Sequence, residues 1–228
     1  MLALEGVEIR LGDFALAADL TVPSGITAVV GPSGAGKSTL LAAIAGFVAP
    51  VAGRVTWQGR DLTPLPPGDR PVSVLFQDNN LFPHLDIARN AGFGIDPNRR
   101  LTAEERARVD ATLDRVGLGG MGGRRPGDLS GGQQSRAALA RVLVSGRPVV
   151  LLDEPFSALG PGLKREMLDL TAEVLAEAGA TGLIVTHDPA DARRVAPRTI
   201  LVADGIAHPP ADTATLFDDP PPALAGYL

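Results

Sequence analysis

The chain of 228 residues is 45% hydrophobic and 21% charged, which is typical of a folded globular protein with one core, or with a core and an inserted subdomain. It has no cysteine and no apolar run of about 18 residues, which excludes disulfides, thiolate metal sites and a membrane-spanning helix. The formal net charge of −5 argues against a nucleic-acid-binding surface, because contact with phosphate backbones requires clustered Lys and Arg. Residues 1–5 lack the basic segment and apolar core of a signal peptide, so we expect none.

Two stretches near the start alternate apolar and polar residues in the way that half-buried strands do. Leu2–Leu11 and Phe14–Val22 are predicted to form an antiparallel pair, with a turn at Gly12 and Asp13. A short and mostly apolar run, Ile26–Val30, follows them and predicts a third strand.

The segment after this third strand reads Gly-Pro-Ser-Gly-Ala-Gly-Lys-Ser-Thr, which has the pattern of a phosphate-binding loop. Glycine allows successive backbone N–H groups to point inward around phosphates, and the helix predicted to begin near Lys37 adds its positive end. Lys37 is placed to reach the β- and γ-phosphates, and Ser38 is placed to bind Mg²⁺. A glycine turn before a core helix is the simpler interpretation, but chance matches to the full pattern are rare in a chain with two lysines. The predicted phosphate-binding residues are Gly31, Pro32, Ser33, Gly34, Ala35, Gly36, Lys37, Ser38 and Thr39.

The character of the chain changes after two further predicted strands, Arg54–Gln58 and Val72–Phe76. From there to about position 144 the sequence has helical patterns and glycine-rich loops without a convincing strand. We therefore predict a catalytic core formed by residues 1–77 and 145–228, with a helical subdomain of residues 78–144 inserted into it.

Two helix starts are recognisable inside this inserted segment. Thr102 and Glu105 have the spacing of a capping box, which predicts a helix running to about Val116. Further on, Leu129–Gln133 reads Leu-Ser-Gly-Gly-Gln and precedes a helix-forming run, Ser135–Val144. A polar glycine turn at a helix N-terminus can bind an anion, although a simple helix cap is the alternative interpretation.

A continuous apolar run, Pro148–Leu152, predicts a central strand that is buried on both faces. Asp153 and Glu154 follow it directly, and on their own they could merely cap the next helix. Beside a phosphate loop they acquire a chemical role, since Asp153 can hold the Mg²⁺ shell and Glu154 can polarise the attacking water.

The last third of the chain continues the alternation of helix and strand. A helix is predicted from Pro161 until Gly179, and a strand, Gly182–Thr186, ends at His187. A lone histidine at the end of a strand is usually structural, so its pattern alone does not make it catalytic. A strand and a hairpin close the sheet, and we expect the tail Asp218–Pro222 to be extended.

With Gly31–Ser38, Leu129–Gln133 and Val149–Glu154 in this order, the chain resembles the nucleotide-binding subunit of ABC transporters. The resemblance implies an α/β fold: a P-loop NTPase (RecA-like) core with an antiparallel β subdomain and an inserted α-helical subdomain. It also implies an enzyme that binds ATP and Mg²⁺ and hydrolyses ATP. Two copies would form a homodimer, in which each ATP lies between one phosphate loop and the Leu-Ser-Gly-Gly-Gln segment of the opposite copy.

The resemblance further implies a role for each matching residue. Gln77 looks like the residue that senses Mg²⁺ and water, and His187 looks like the switch histidine on the γ-phosphate. The implied catalytic residues are Glu154, His187 and Gln77. The implied metal ligands are Ser38, Gln77 and Asp153. The implied contacts to the nucleotide of the opposite copy are Ser130, Gly131, Gly132 and Gln133.

Three departures from the family pattern have physical consequences. Leu11 stands near the position of an aromatic residue that usually stacks on adenine, and Phe14 is the nearest ring. Gly160 replaces an Asp that usually contributes to the contact across the dimer. Gln134 and Ser135 replace a more common basic residue and glutamine after the Leu-Ser-Gly-Gly-Gln segment.

Within the family the chain looks most like the ATP-binding protein of bacterial thiamine importers. The closer match lies in Arg70–Phe82, and in Gly46, Phe47 and Pro50 after the first helix. It implies a peripheral protein on the cytoplasmic face of the bacterial inner membrane. The implied partners are transmembrane permease subunits and, indirectly, a periplasmic solute-binding protein.

Three alternatives stay open from the sequence alone. The imported solute could instead be ferric ion, sulfate or a polyamine, or the chain could be an ABC ATPase that serves no transporter or a catalytically inactive binding module. Leu81, Phe82 and Leu85 are predicted to contact the permease, and a packed subdomain core is the other explanation for these apolar residues.

Overall fold

The computed structural model describes residues 1–96 and 100–226. The strands are β1 (Leu2–Leu11), β2 (Phe14–Val22), β3 (Gly25–Val30), β4 (Ala52–Trp57), β5 (Arg60–Asp61), β6 (Val72–Leu75), β7 (Val149–Asp153), β8 (Thr181–Val185), β9 (Arg198–Ala203), β10 (Ile206–Ala207) and β11 (Ala211–Asp212). The helices are α1 (Lys37–Ala45), α2 (Ile87–Gly92), α3 (Ala103–Arg115), α4 (Gly131–Val144), α5 (Pro161–Glu177), α6 (Pro189–Val195), α7 (Thr213–Asp218) and α8 (Pro222–Ala225).

A parallel sheet in the order β9-β3-β8-β7-β6 forms the centre of the molecule, and β10 joins it to the antiparallel group β2-β1-β4-β5. In register, Val29 of β3 lies opposite Val185 of β8, and Val185 lies opposite Asp153 of β7. The carboxyl ends of these strands therefore meet at one edge, which is where ligands bind in open α/β sheets. This is the α/β P-loop architecture, with its antiparallel β part, that the family resemblance implies.

The apolar runs of the central strands are buried on both faces, as their continuous hydrophobicity predicts. Leu151 of β7 packs into a cluster with β1, β2 and α1, whereas its neighbour Leu152 packs on the opposite face with α4 and α5. Both side chains are fully buried. Each such leucine contributes about 2 kcal/mol of hydrophobic stabilisation, so the sheet carrying the site residues is well anchored.

The inserted segment contains α2, α3 and α4, and within its described residues no strand is present, as predicted. The predicted capping box is also confirmed, because the Thr102 hydroxyl accepts from the Glu105 N–H while the Glu105 carboxylate accepts from the Thr102 N–H. Val109 and Leu139 of this segment join the same buried cluster as Leu152. The division of the chain at 77/78 and 144/145 stays a prediction.

Two local predictions are wrong. The helix expected to begin at Ser135 begins at Gly131, because the cap at Ser130 overrides the low helix propensity of the two glycines. The tail expected to be extended is partly helical: Asp218 ends α7 and Pro222 begins α8. Asp212 caps α7 by accepting from the Thr215 N–H, and the adjacent helices bury apolar side chains.

No helix within residues 1–96 and 100–226 is long and apolar enough to cross a membrane.

Candidate functional site

The candidate site begins at the loop between β3 and α1, where glycine is required by geometry. A Cβ atom on Gly36 would lie 2.5 Å from the ring of Phe14, and a Cβ atom on Gly31 would lie 2.0 Å from the carbonyl oxygen of Val202. Gly34 and Gly36 also have positive φ angles of 78° and 105°, which disfavour other residues. The loop can therefore approach an anion with its backbone N–H groups, next to the positive end of α1.

Lys37 is the first residue of α1 and points back under this loop. Its Nζ atom donates to the carbonyl oxygens of Gly31 at 2.8 Å and Pro32 at 2.9 Å. Burial lowers the pKa of the Lys37 ammonium, while the carboxylates of Glu154 and Asp153 act in the opposite direction. The result is a compact cation at the loop, which suits a phosphate group.

Ser38 and Asp153 lie next to each other although they are far apart in the sequence. The Ser38 Oγ donates to the Asp153 Oδ1 at 3.2 Å. Burial raises the pKa of Asp153, and Glu154 adds to this effect, whereas the bond from Ser38 and the charge of Lys37 oppose it. A hydroxyl and a carboxylate oxygen fit Mg²⁺, which prefers oxygen ligands and takes others from substrate phosphates. Within the described residues no cluster of three His, Cys, Asp or Glu could hold a metal by itself.

Glu154 and His187 come together because β7 and β8 are neighbours in the sheet. The His187 Nδ1 lies 3.4 Å from the Glu154 Oε2. Glu154 has a positive φ of 45°, which is uncommon for a residue with a side chain, and its N–H donates to the Val185 carbonyl at 3.3 Å. Together with Ser33 and Lys37, these two side chains line an open pocket of ≈ 460 Å³.

Gln77 is the predicted site residue that this pocket does not include. It lies beyond the end of β6, exposed, and it is not among the residues that line the pocket. Asn79 and Asn80 follow it with positive φ angles of 58° and 46°. The structure thus brings together the phosphate loop, Asp153, Glu154 and His187, but leaves Gln77 at the side.

The Leu-Ser-Gly-Gly-Gln segment is also separate from this pocket. Ser130 caps α4: its Oγ accepts from the Gln133 N–H at 3.3 Å, and the Gln133 Oε1 accepts from the Ser130 N–H at 3.0 Å. Gly131 has open space where a Cβ would be, whereas a Cβ on Gly132 would lie 2.3 Å from Leu163 of α5. The N-terminus of this helix of 14 residues is therefore capped and remains accessible at Gly131.

Arg141, on the last turn of α4, is a residue that the sequence analysis did not single out. Its guanidinium donates to the carbonyl oxygens of Asn80 at 2.7 Å and Asn79 at 2.8 Å, and burial lowers its pKa. The Asn79 amide in turn donates to the Ser135 Oγ of the same helix at 3.3 Å. These contacts tie the loop after Gln77 to α4. The sequence signal that could have identified Arg141 is its position as a basic residue on an otherwise apolar face of the helix.

Arg70 entered the sequence analysis only as part of the resemblance to thiamine importers. In the structure its guanidinium contacts the end of α1. Its guanidinium donates to the carbonyl oxygens of Ala43 at 2.8 Å and Ile44 at 2.9 Å. These carbonyls belong to the C-terminal turn of α1, where a cation is favourable. Arg70 therefore fixes the helix that begins at the phosphate loop.

The three apolar residues predicted to contact the permease differ in their solvent exposure. Phe82 is 38% exposed, whereas Leu81 and Leu85 are half-buried and Leu81 packs against the main core. Buried Asn90 holds this turn, since its Oδ1 accepts from the Phe82 N–H at 2.7 Å and its Nδ2 donates to the Phe82 carbonyl at 3.0 Å. Of these three residues, Phe82 is the most exposed.

An aromatic groove lies beside this turn, in the surface near the end of α1. It has a volume of ≈ 310 Å³, and Phe47, Phe76, Phe93, Arg141 and Arg147 are among its lining residues. The rings of Phe47 and Phe76 are 5.9 Å apart, and Phe47 is 57% exposed. This groove is an apolar surface with two basic groups at its wall.

Leu11 and Gly160, two residues at which the sequence departs from the family pattern, both lie at the ends of secondary-structure elements. Leu11 is 48% exposed at the turn between β1 and β2, where it pairs with Phe14 across the strands. The Phe14 ring packs against Gly36 of the phosphate loop. Gly160 is the N-cap of α5 with an extended backbone, without a side-chain cap and with open space at its Cβ position.

Comparison with known proteins gives consistent matches. The family model described as ABC transporter matches residues 17–157. The chain is 64% identical over 229 residues to the thiamine import ATP-binding protein ThiQ of Cereibacter sphaeroides, covering 100% of this chain and 99% of that protein. It is 60% identical to the protein of the same name from a Ruegeria species with the same coverage. The namesake from Salmonella paratyphi A is 53% identical over 178 residues, which is 78% of this chain and 76% of that protein.

Two solved structures are also similar. One is the dimeric structure of MJ0796, a bacterial ABC transporter cassette, with a TM-score of 0.80 and 29% identity, covering 93% of this chain and 99% of that one. The other is MJ0796 in a post-hydrolysis state bound to ADP and Pi, with a TM-score of 0.78 and 28% identity at the same coverage.

Proposed function

This chain belongs to the ABC transporter family, and from that premise we propose that it is the ATP-binding subunit of an import system that hydrolyses ATP to drive the uptake of thiamine. The observation that carries the ATPase part is the pocket at the edge of the parallel sheet, where Lys37, Glu154 and His187 converge. The thiamine part is supported by the names of relatives that are 60% and 64% identical over this whole chain.

In this proposal, the phosphates of ATP lie on the loop between β3 and α1. The Lys37 ammonium exchanges its hydrogen bonds to the Gly31 and Pro32 carbonyls for hydrogen bonds to the phosphates. Because the ammonium already lies at the loop, its charge stays close to the phosphates. The phosphate-binding set is Gly31, Pro32, Ser33, Gly34, Ala35, Gly36, Lys37, Ser38 and Thr39.

Mg²⁺ is the proposed cofactor, held by Ser38 and Asp153. When bound, the ion neutralises charge on the β- and γ-phosphates. The adjacent oxygens of Ser38 and Asp153 support this assignment. Gln77 is the third proposed ligand, and it must turn inward from its exposed position to reach the ion.

Glu154 is the proposed general base for hydrolysis. Its carboxylate accepts a proton from water while the water oxygen bonds to the γ-phosphorus and the bond to the bridging oxygen breaks, so that ADP and inorganic phosphate leave. His187 lies beside Glu154 and is proposed to hydrogen-bond the γ-phosphate. Gln77 is proposed to orient the water once it has moved inward.

We propose that a second copy of the chain completes the site. Ser130, Gly131, Gly132 and Gln133 of each copy would contact the nucleotide held by the other. This is supported by the dimeric assembly of a similar cassette and by the open space at Gly131. The capped N-terminus of α4 adds a positive dipole end suited to a γ-phosphate.

The proposed partners are transmembrane permease subunits, with a periplasmic solute-binding protein acting through them. The chain would then be peripheral, on the cytoplasmic face of a bacterial inner membrane. The aromatic groove and the ring of Phe82 are the surface proposed to meet the permease, since contiguous exposed apolar residues mark interfaces.

Reconstitution tests the substrate. The subunit, its own permease and its binding protein are placed in liposomes, and ATP hydrolysis and uptake are measured with thiamine, ferric ion, sulfate or a polyamine on the binding-protein side. We expect stimulation by thiamine alone, and slow hydrolysis indifferent to thiamine for the isolated subunit. Stimulation by another solute instead of thiamine would disprove the substrate assignment and leave the ATPase assignment standing.

A further inference from the structure

Lys164 of α5 is one of only two lysines in the chain, and the site described above does not use it. Its Nζ lies 2.5 Å from the Asp191 Oδ2 and 3.3 Å from the Asp188 Oδ2. The side chains of Lys164 and Asp191 are only 17% and 8% exposed. Salt and water screen an ion pair this sheltered much less than a surface pair, and removal of one partner leaves the other charge uncompensated.

The ion pair holds both residues that flank His187. The Thr186 hydroxyl donates to the Asp191 Oδ2 at 2.9 Å and accepts from the Asp188 N–H at 3.1 Å. Asp188 is also held by Lys164 itself. The residues on both sides of His187 are therefore held by hydrogen bonds that lead to the pair of Lys164 and Asp191.

The space behind His187 leaves Lys164 no room for a ligand. Lys164, Thr186 and Asp191 line a cavity of only ≈ 10 Å³, and Glu154 and His187 also line it. Such a volume holds about one water molecule at most. Lys164 therefore acts on its neighbours and not on a bound substrate.

The Lys164 ammonium contacts two carboxylates, so its positive charge offsets one of their two negative charges. Burial lowers the pKa of Lys164, but the hydrogen bonds and charges of Asp191 and Asp188 outweigh it and raise the pKa overall. Without the lysine, two nearby carboxylates would face each other next to His187, and one of them is buried. The loop would then have a reason to rearrange, because an unpaired buried charge is strongly unfavourable.

We infer that Lys164 is a positioning residue for hydrolysis: by pairing with Asp191 and Asp188 it holds the turn at Thr186–Asp188 so that His187 faces Glu154. This inference rests on the catalytic role proposed for His187. It adds that α5, which begins three residues before Lys164, sets the place of that histidine.

The test compares Lys164→Met with Arg165→Met, a matched change at the next position, where the arginine is exposed. With only three histidines in the chain, histidine-labelled NMR spectra are simple, and His187→Ala assigns the resonance of interest. We expect Lys164→Met to shift the His187 resonance, leaving His84 and His208 in place, and to lower kcat about tenfold with KM for ATP within about twofold. Arg165→Met should change neither, and Lys164→Arg should restore most of kcat.

Because Lys164→Met leaves Asp191 unpaired, it can unfold the protein. The double variant Lys164→Met with Asp191→Asn removes both charges and keeps an acceptor for Thr186, and it should fold, shift the His187 resonance and remain slow. A folded variant with an unmoved His187 resonance and wild-type kcat overturns the inference. If His187→Ala itself turns over ATP like the wild type, the proposed role of His187 fails, whereas the NMR result still reports whether Lys164 places the ring.

Discussion

Glu154 combines two properties at the scale of a single residue: it lies at the end of a buried strand, and its carboxylate faces the pocket beside His187. Glutamine has nearly the same shape but cannot accept the proton of an attacking water. The substitution therefore separates nucleotide binding from hydrolysis.

We expect Glu154→Gln to bind ATP, to form a dimer in ATP by light scattering, and to lose at least about 100-fold in kcat because the general base is absent. Glu173→Gln, at an exposed position of α5, is the control and should behave like the wild type. Near wild-type ATPase activity of Glu154→Gln would contradict the proposed role.

Leu11 stands near the position where the family usually has an aromatic residue that stacks on adenine, which leads to a prediction about the base. It is exposed and pairs across the strands with Phe14, whose ring lies against Gly36 of the phosphate loop. An aliphatic side chain offers no π-face, so discrimination between ATP and GTP should be weak. We expect Leu11→Tyr to lower KM for ATP about fivefold, since stacking contributes about 1 kcal/mol, while Leu11→Met leaves it unchanged. An unchanged KM in Leu11→Tyr would mean that another ring already stacks on the base.

At the scale of elements, α5 begins without a side-chain cap, because Gly160 occupies its N-cap. The backbone there is extended and the space around the missing Cβ is open, so an Asp would fit without strain. The carboxylate could then accept from the orphan N–H groups of the first turn.

We expect Gly160→Asp to raise the free energy of unfolding by about 0.5 kcal/mol in urea titrations, and to change the Hill coefficient for ATP because the dimer contact gains a charge. Gly160→Asn should give the same stability without the charge. Equal Hill coefficients in all three proteins would remove the proposed dimer effect, and an unchanged urea midpoint would remove the capping effect.

The sequence predicts the elements whose signals are local. The loop at Gly31–Thr39, the continuous apolar strands and the capping box at Thr102 all depend on neighbours within a few positions, and each is where it was expected. The order of the strands depends on pairings between distant segments, which no local pattern contains. Their order explains why Glu154 meets His187, and why the pair of Lys164 with Asp191 could not be foreseen.

At the scale of the molecule, α4 connects two surfaces for which we propose functions. Its N-terminus carries the Leu-Ser-Gly-Gly-Gln segment, and its last turn carries Arg141, which lines the aromatic groove and holds the loop after Gln77. A helix of 14 residues spans about 21 Å. A partner in the groove would therefore contact the same helix that would reach the nucleotide of the second copy.

We expect Phe82→Asp to abolish the thiamine-dependent stimulation of the reconstituted system while the hydrolysis of the isolated subunit stays unchanged. The charge would enter the permease contact without touching the phosphate site, because Phe82 stacks only on Phe93 and His84 among the described rings. Ile206→Asp, at an exposed position of β10 outside the groove, is the matched control. Full stimulation of the Phe82 variant would exclude this surface as the coupling contact.

The positive φ of Glu154 has a consequence for how this protein could be improved or could evolve. A left-handed backbone costs about 1 kcal/mol for a residue with a side chain, whereas glycine adopts it freely. Glu154→Gly should therefore unfold at a higher temperature than the wild type and hydrolyse no ATP. Selection for a higher melting temperature alone would favour such a substitution although it removes ATP hydrolysis. A search for more stable variants therefore has to measure ATP turnover together with the melting temperature.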